Sequence, residues 1–224
     1  MSSLSYKLLA LLFMLIDHIG FLLLPDIFLL RVIGRLAMPL FAFQFSIGIK
    51  NTKNIKNRIF KLLIFAILVQ IPYSIFYFEA GVKPDLNIIF TFLLSTLIIF
   101  LINTAKEKNN FDFRAVTGII IAVILLSSES ITKVDYGFYG VLLPVIFYYT
   151  SKSKTLMPLF YYIIWLSHLL ISRTLFSVLG IVTLAEIPLF FIYNGKKGYK
   201  NGTAFYFIYF AHFIALLFIK ALIS

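Results

Sequence analysis

The segment FMLIDHIGFLLLP (Phe13–Pro25) is apolar enough to cross a bilayer, yet it carries two adjacent ionisable residues, Asp17 and His18. An aspartate at the centre of a membrane-spanning helix costs about 2.5–3.5 kcal/mol on insertion scales. The rest of the chain is equally apolar, since 61% of its 224 residues are hydrophobic, against about 45–50% in soluble domains. The sequence therefore predicts an integral membrane protein in which this polar pair has a packing, transport or chemical role.

The fold class predicted from the hydrophobic pattern is all-α, a polytopic transmembrane helical bundle of about nine spans that forms one domain over residues 1–224. The predicted spans are 5–25, 28–49, 59–78, 86–105, 114–128, 137–150, 156–172, 174–193 and 203–223. The seventh and eighth meet at SRT, so close that they could instead form a re-entrant pair. Four prolines fall within spans, where proline is expected to kink or locally break a helix. They are Pro39, Pro72, Pro144 and Pro188.

The charge distribution predicts which side of the membrane each loop occupies. Thirteen lysines and arginines lie in four loops, KNTKNIKNRIFK (Lys50–Lys61), KEKNNFDFR, SKSK and GKKGYK, whereas EAGVKPD and ESITKVD each carry one lysine against two acids. The positive-inside rule places the four basic loops, and with them the N-terminus, in the cytoplasm. It also explains the net charge of +11 without a nucleic-acid partner. The chain has no cysteine, which excludes disulfides and thiolate metal sites, and no metal is predicted.

Polar residues within predicted spans usually face the interior of a bundle, so many of them are expected to share one cavity. They are Asp17, His18, Arg31, Arg35, Gln44, Gln70, Asn87, Thr91, His168, Glu186 and His212. The candidates for binding a substrate are Arg31, Gln70, Asn87 and His212, together with Tyr136 in the turn DYGFYG. His168 is interpreted as a histidine packed between helices.

Lys7 and His18 lie eleven residues apart, which places them on one face of a helix with a rise of about 16–17 Å between them. The arm of coenzyme A, from its phosphates to its thioester, has a comparable length. A donor lying along this face could leave its phosphates at Lys7 and present its acyl group to His18. The alternative is that Lys7 only anchors the end of the span at the membrane surface.

His18, Asp17 and Arg35 are the candidate catalytic residues. Histidine titrates near neutral pH, so His18 can act as a general base toward an amine or a hydroxyl. Arg35 is predicted at nearly the same height and could stabilise an oxyanion or hold an acceptor carboxylate, or else point outward or pair with Asp17. Because adjacent residues of a helix point about 100° apart, Asp17 is expected to bind Arg31, Arg35 or an acceptor amine rather than His18.

Several motifs, taken in order, resemble the TraX family over most of the chain. They are MLIDHIG, RVIGRLAMPLFAFQFSIG, NTKN, QIPYSIFYF, LNIIFTFLL, DYGFYGVLL, YNGKKG and FYFIYFAHFIALL. The resemblance implies N-terminal acetylation of a pilin-type peptide. The family is distantly similar to a larger class of integral-membrane acyltransferases, in which a basic residue, ten intervening residues and a histidine occupy the first span. Lys7 and His18 match that spacing, with lysine where the larger class usually has arginine.

These observations together predict an acyltransferase of the cytoplasmic membrane with acetyl-CoA as donor. The expected partners are the lipid bilayer and an acceptor that is either the amine of a membrane-held or exported peptide or a hydroxyl of a surface glycan. The alternative is a small proton-coupled permease that uses Asp17, His18, Glu186 and the arginines as a relay. A permease should show an inverted repeat, and none is visible in the sequence. A scaffold without chemistry would leave the alignment of Lys7, His18 and Arg35 unexplained.

Overall fold

A computed structural model of the chain describes residues 1–107, 134–171, 178–196 and 203–223. Over these residues the structure is helical, and the one strand-type pairing is an isolated bridge between Leu86 and Val134. The predicted all-α class is therefore confirmed. The predicted span 114–128 and the SRT junction, with its re-entrant alternative, lie outside the described residues.

Ten α-helices and one 3₁₀ segment follow one another in the described part of the chain. They are α1 (Ser3–Leu22), α2 (Phe28–Gly34), α3 (Ala37–Lys50), α4 (Ile55–Glu79), α5 (Ile88–Glu107), α6 (Gly137–Thr150), α7 (Leu156–Ile171), α8 (Val178–Ile181), the 3₁₀ segment (Val182–Glu186), α9 (Ile187–Ile192) and α10 (Thr203–Ile223). Helix α1 ends three residues before Pro25, in keeping with the tendency of helices to stop ahead of a proline.

Among the described residues, five helical segments are long and apolar enough to cross a membrane: Ser3–Leu22, Phe28–Lys50, Ile55–Glu79, Ile88–Lys106 and Thr203–Ile223. Three further helical segments are apolar but shorter, at 10–17 residues: Gly137–Thr150, Leu156–Leu170 and Val182–Ile192. The count of nine spans stays a prediction. One face of α4 is exposed and apolar at helical spacing, which is typical of a lipid-facing surface. This face contains Phe60, Ile64, Ile67, Ile71, Ile75 and Phe78.

The second predicted span is interrupted at Arg35 and Leu36, between α2 and α3. Pro39 explains the position of this break. A proline nitrogen has no hydrogen to donate to the carbonyl four residues earlier, and its ring collides with that carbonyl, which here belongs to Arg35. The expected disturbance is therefore present, but it appears one turn before the proline and places Arg35 at the end of a short helix.

The other prolines disturb the helices less than the sequence suggests. Helices α4 and α6 continue through Pro72 and Pro144, so the predicted local break is absent at these two positions. Pro188 is the second residue of α9, where a helix can accept proline because the first N–H groups have no partner within the helix. The change from 3₁₀ to α-helix falls directly before it.

Two compact units can be distinguished in the chain. The first consists of Met1–Gln44, Leu68–Pro84 and Leu166–Ser224, and the second of Phe45–Ile67 and Asp85–Trp165. In the second unit α5 packs on α6, where the hydroxyl of Ser95 donates to the carbonyl of Val141 at 2.7 Å. In the first unit α1 packs closely on α2.

Two glycines allow the close approach of α1 and α2. A Cβ built on Gly34 would overlap the side chain of Asp17, and one built on Gly20 would lie only 2.6 Å from the Cβ of Leu30. Both glycines are buried. The crossing thus requires glycine at these two positions and brings α2 against the segment of α1 that carries Asp17.

Within the first unit, the N-terminus contacts the loop that follows α9, and both were predicted on the same side of the membrane. The Ser3 amide donates to the Lys196 carbonyl and the Asn194 amide to the Met1 carbonyl, both at 3.1 Å. The start of α1 therefore lies beside the start of the basic loop after α9. At the far end of α10, Lys220 lies 3.6 Å from the carboxylate of Glu79. Which of the two ends faces the cytoplasm stays a prediction.

Candidate active site

A buried carboxylate on α1 binds two arginines from the broken second span. Nη1 of Arg31 donates to Oδ2 of Asp17 at 2.5 Å and to the Asp17 carbonyl at 3.2 Å, while Nη2 of Arg35 lies 3.4 Å from Oδ1. Only 10% of the Asp17 side chain is exposed, against 21% and 22% for the arginines. The expectation that Asp17 binds Arg31 or Arg35 is confirmed, and it binds both. The close approach at Gly34 is what makes this geometry possible.

The imidazole of His18 is joined to a second imidazole from the last helix. Nδ1 of His18 lies 2.8 Å from Nε2 of His212, and the two ring planes differ by 11°. One nitrogen donates and the other accepts, so the pair shares a proton along this bond. Because Nδ1 of His18 is occupied in this way, Nε2 is the nitrogen of His18 that remains to exchange a proton with another group.

Aromatic side chains surround the histidine pair. The His18 ring lies 5.2 Å from the rings of Phe76 and Phe213, both of which are fully buried, and Tyr209 lies 5.1 Å from His212. A hydrogen bond in such an apolar shell is stronger than one in water, because the local dielectric is low. The shell therefore holds the two imidazoles in a fixed mutual orientation.

Asp17 and His18 follow one another in α1 and serve different neighbours. Asp17 faces α2, whereas His18 faces α4 and α10 through Phe76 and His212. Both Arg31 and Arg35 nevertheless lie close enough to His18 to interact with it electrostatically. The charge of the arginine pair thus acts on the histidine without a direct hydrogen bond.

The face of α1 between Lys7 and His18 is packed against other helices. Nζ of Lys7 lies 4.8 Å from the centre of the Phe205 ring, a cation–π contact. Between Lys7 and His18, Leu11 and Met14 are buried in a cluster that also receives Ala37, Phe13, Leu15, Phe41, Phe205 and Tyr209. A donor lying along this face would have to displace the start of α10.

Two of the predicted substrate-binding residues, Gln70 and Asn87, form hydrogen bonds within α4 or with it. Nε2 of Gln70 donates to the Ser74 hydroxyl at 3.1 Å, one turn along α4. Asn87, in the second unit, donates to the Ala66 carbonyl at 2.8 Å and accepts from the amide of Ile89. These hydrogen bonds tie the start of α5 to α4, which is a structural role.

Tyr136, another of the predicted substrate-binding residues, also belongs to the second unit. Its backbone is left-handed (φ 62°, ψ 8°) and it precedes the first residue of α6. A left-handed tyrosine costs about 1–2 kcal/mol in backbone conformation, so surrounding contacts must stabilise this turn. His168 lies partly buried on α7, as expected of a packed histidine.

The direct bond between His18 and His212 is the feature that sequence reasoning missed. The two residues are 194 positions apart, and helical periodicity carries no information about which helices pack together. The available signal was that both are isolated polar residues in otherwise apolar helices, and such residues usually find one another inside a membrane bundle.

Comparison with known proteins gives one family and two relatives. The family described as TraX protein matches residues 3–220. A relative from Dichelobacter nodosus, described as probable fimbrial assembly protein FimC of serogroup H1, is 28% identical over 96% of this chain and 94% of its own length. An uncharacterised protein of Rickettsia prowazekii (strain Madrid E) is 29% identical over 68% of this chain, which spans 57% of that protein. No solved structure gives a significant match. Together with its apolar helices, this identifies the chain as a multi-pass membrane protein.

Proposed function

Since the chain belongs to the TraX family, we propose that it is an acyltransferase of the cytoplasmic membrane that moves an acetyl group from acetyl-CoA to an amine or hydroxyl acceptor. The observation that carries the proposal is the hydrogen bond between His18 and His212. It orients an imidazole inside a membrane bundle, which is the arrangement a general base requires.

In the proposed reaction, Nε2 of His18 removes a proton from the acceptor nitrogen or oxygen. The acceptor then attacks the thioester carbon, a new C–N or C–O bond forms, and the C–S bond breaks. The thiolate of coenzyme A leaves and takes up the proton from His18. The histidine pair returns to its starting state, so no further reactant is needed.

Arg35 is the residue proposed to stabilise the oxyanion that forms when the acceptor attacks the thioester. Its 3.4 Å contact with Asp17 is long for a hydrogen bond, whereas Arg31 is held at 2.5 Å. Arg31 therefore serves mainly to fix the Asp17 carboxylate, and Asp17 in turn positions the Arg35 guanidinium. A preorganised cation in an apolar site stabilises a developing negative charge strongly because the site does not have to reorganise.

A pilin-like peptide is the favoured acceptor. The Dichelobacter nodosus relative, which covers nearly the whole chain, is described as a fimbrial assembly protein. A peptide with a free N-terminal amine that is held in the membrane would meet the histidine pair from within the bilayer. A hydroxyl of a surface glycan is the other acceptor with suitable chemistry.

The permease reading has less support in the described contacts. A proton relay needs a chain of hydrogen bonds through Asp17, His18 and Glu186. In the described part of the structure, Asp17 bonds to the two arginines and His18 to His212, while neither carboxylate oxygen of Glu186 has a hydrogen-bond partner. No such relay joins the three residues there.

Orientation of the proposed enzyme can be tested with single cysteines, because the native chain has none. A cysteine at Asn54 is expected to be shielded from an impermeant thiol reagent in intact cells, and one at Lys83 is expected to be labelled. The physical reason is the positive-inside rule applied to Lys50–Lys61. Labelling at position 54 in intact cells would contradict both the orientation and the cytoplasmic entry of the donor.

Donor binding tests the function itself and the role of Lys7, whose proposed contact with the donor phosphates requires the start of α10 to move away from α1. The purified protein is expected to bind acetyl-CoA saturably, and Lys7→Glu should weaken binding about tenfold at low salt, since reversing a charge beside a phosphate changes the Coulomb energy. The loss should shrink at high salt, because a contact near the surface is screened. Lys7→Arg, the matched control, should bind at least as well. An unchanged dissociation constant for Lys7→Glu would leave Lys7 as an anchor of α1 only.

A further inference from the structure

Glu186 is a fully buried carboxylic acid that the proposed reaction does not use. It ends the 3₁₀ segment, its exposed fraction is 0%, and both of its carboxylate oxygens lack a hydrogen-bond partner among the described residues. An ionised carboxylate in such surroundings is strongly unfavourable unless a partner compensates it. Glu186 is therefore a buried acceptor that receives no hydrogen bond from the described residues.

Two further polar groups near the start of α1 are also buried, and neither has a hydrogen-bond partner in the part of the chain that the structure describes. They are the phenol oxygen of Tyr6 and the amide nitrogen of Gln44. Tyr6 is connected to the segment that follows Glu186, because the Phe43 ring lies 5.8 Å from the ring of Tyr6 and 5.3 Å from that of Phe190, one turn after Glu186. Gln44 reaches the same helix end, because its Oε1 accepts a 2.9 Å hydrogen bond from Ser3, one turn before Tyr6.

The oxygen and nitrogen of an amide are nearly indistinguishable by shape, and their assignment depends on hydrogen bonding. If the Gln44 amide is turned over, its NH₂ group donates to the Ser3 hydroxyl and its oxygen replaces the partnerless nitrogen. The group of partnerless atoms then consists of oxygens only, from Glu186, Tyr6 and Gln44. Carboxylate, amide and hydroxyl oxygens are the ligands preferred by hard cations.

Aromatic rings close the surroundings of this cluster. Tyr6 lies 5.8 Å from Phe43 and 5.7 Å from Tyr193, and Phe43 lies 5.3 Å from Phe190. Tyr6, Phe43 and Phe190 are all buried. Rings in mutual contact leave little room for a large organic ligand, so a small ligand fits this place better.

We propose that Glu186, Tyr6 and Gln44 form a binding site for one monovalent metal cation. A single carboxylate neutralises a single positive charge, whereas a divalent ion would leave a net charge buried among aromatic rings. Among the described residues, Glu186 does not belong to any group of three or more His, Cys, Asp or Glu side chains, so the proposed site has one carboxylate and otherwise neutral oxygens. The site lies about three turns from His18 along α1, since Tyr6 and His18 are twelve residues apart.

The test is a comparison of melting temperatures of the purified full chain in NaCl, KCl and choline chloride at equal ionic strength. A ligand that binds only the folded state raises the melting temperature in proportion to the logarithm of its concentration once it exceeds its Kd. NaCl or KCl is expected to stabilise the wild-type protein relative to choline chloride. The Glu186→Gln variant, which keeps the shape of the side chain, should lose this difference.

A second variant keeps the proposal testable if Glu186→Gln does not fold. Tyr6→Phe removes one oxygen and keeps the ring, so it should reduce the salt-specific stabilisation, while Tyr193→Phe, the matched control on the neighbouring ring, should not. Equal melting temperatures of the wild-type protein in all three salts would overturn the proposal. Because the measurement is of binding, its result does not depend on whether the protein transfers acyl groups.

Discussion

His18→Ala is expected to lower the rate of acyl transfer by about 10²–10⁴-fold, the usual effect of losing a general base. The variant should still insert and still bind acetyl-CoA, because its proposed donor contact is at Lys7, at the other end of α1. The measurement is the rate of coenzyme A release with an acceptor peptide, together with a donor-binding isotherm on the same preparation.

Variants of His212 distinguish the proposed positioning of His18 from simple packing. The contact uses Nε2 of His212. The amide group of glutamine lies at about the position of Nε2, whereas that of asparagine lies at about the position of Nδ1. We expect His212→Gln to retain a larger share of the rate than His212→Asn, and the pH dependence of the rate to shift in both. Equal rates would mean that the hydrogen bond does not orient His18.

His168 supplies the control for histidine loss in general. It lies on α7, outside the described contacts of His18, so His168→Ala should affect stability more than turnover. If His18→Ala kept half of the wild-type rate on the true acceptor, histidine would have no part in the mechanism.

The helical membrane class and the ends of several spans were predictable because they depend on local composition. Predicted span 137–150 coincides with α6 and 203–223 with α10. Likewise the 100° turn between neighbours correctly predicted that Asp17 and His18 contact different helices. Helical geometry is a short-range property, so one sequence suffices to determine it.

Contacts between distant helices could not be predicted in the same way. The pairing of His18 with His212 depends on how α1 and α10 pack, and the choice among helices is a property of the whole bundle. The burial of Leu11 and Met14 could not be predicted for the same reason. The sequence therefore suggested that the face from Lys7 to His18 is accessible to a donor, whereas other helices cover it in the structure. The break at Arg35 lies four residues before Pro39, because a proline disturbs the carbonyl four residues earlier in a helix.

Asp17→Ala is expected to lower the free energy of unfolding by about 3 kcal/mol, the lower end of the range for breaking a buried ion pair. The variant leaves Arg31 and Arg35 without their carboxylate partner. Because 21% and 22% of the arginine side chains are exposed, part of the charge can still be solvated. Reversible unfolding in mixed micelles, compared with the wild-type protein, measures the loss.

The ion pair between Glu79 and Lys220 provides the matched control, since its carboxylate side chain is 54% exposed. Glu79→Ala should cost about 0–1 kcal/mol, as exposed pairs do. Adding Arg31→Met to Asp17→Ala should restore part of the lost stability, because an apolar side chain of similar length no longer needs a charged partner. If Asp17→Ala costs no more than Glu79→Ala, the carboxylate does not hold the arginines in place. The proposal that Asp17 positions Arg35 for the oxyanion would then have no support.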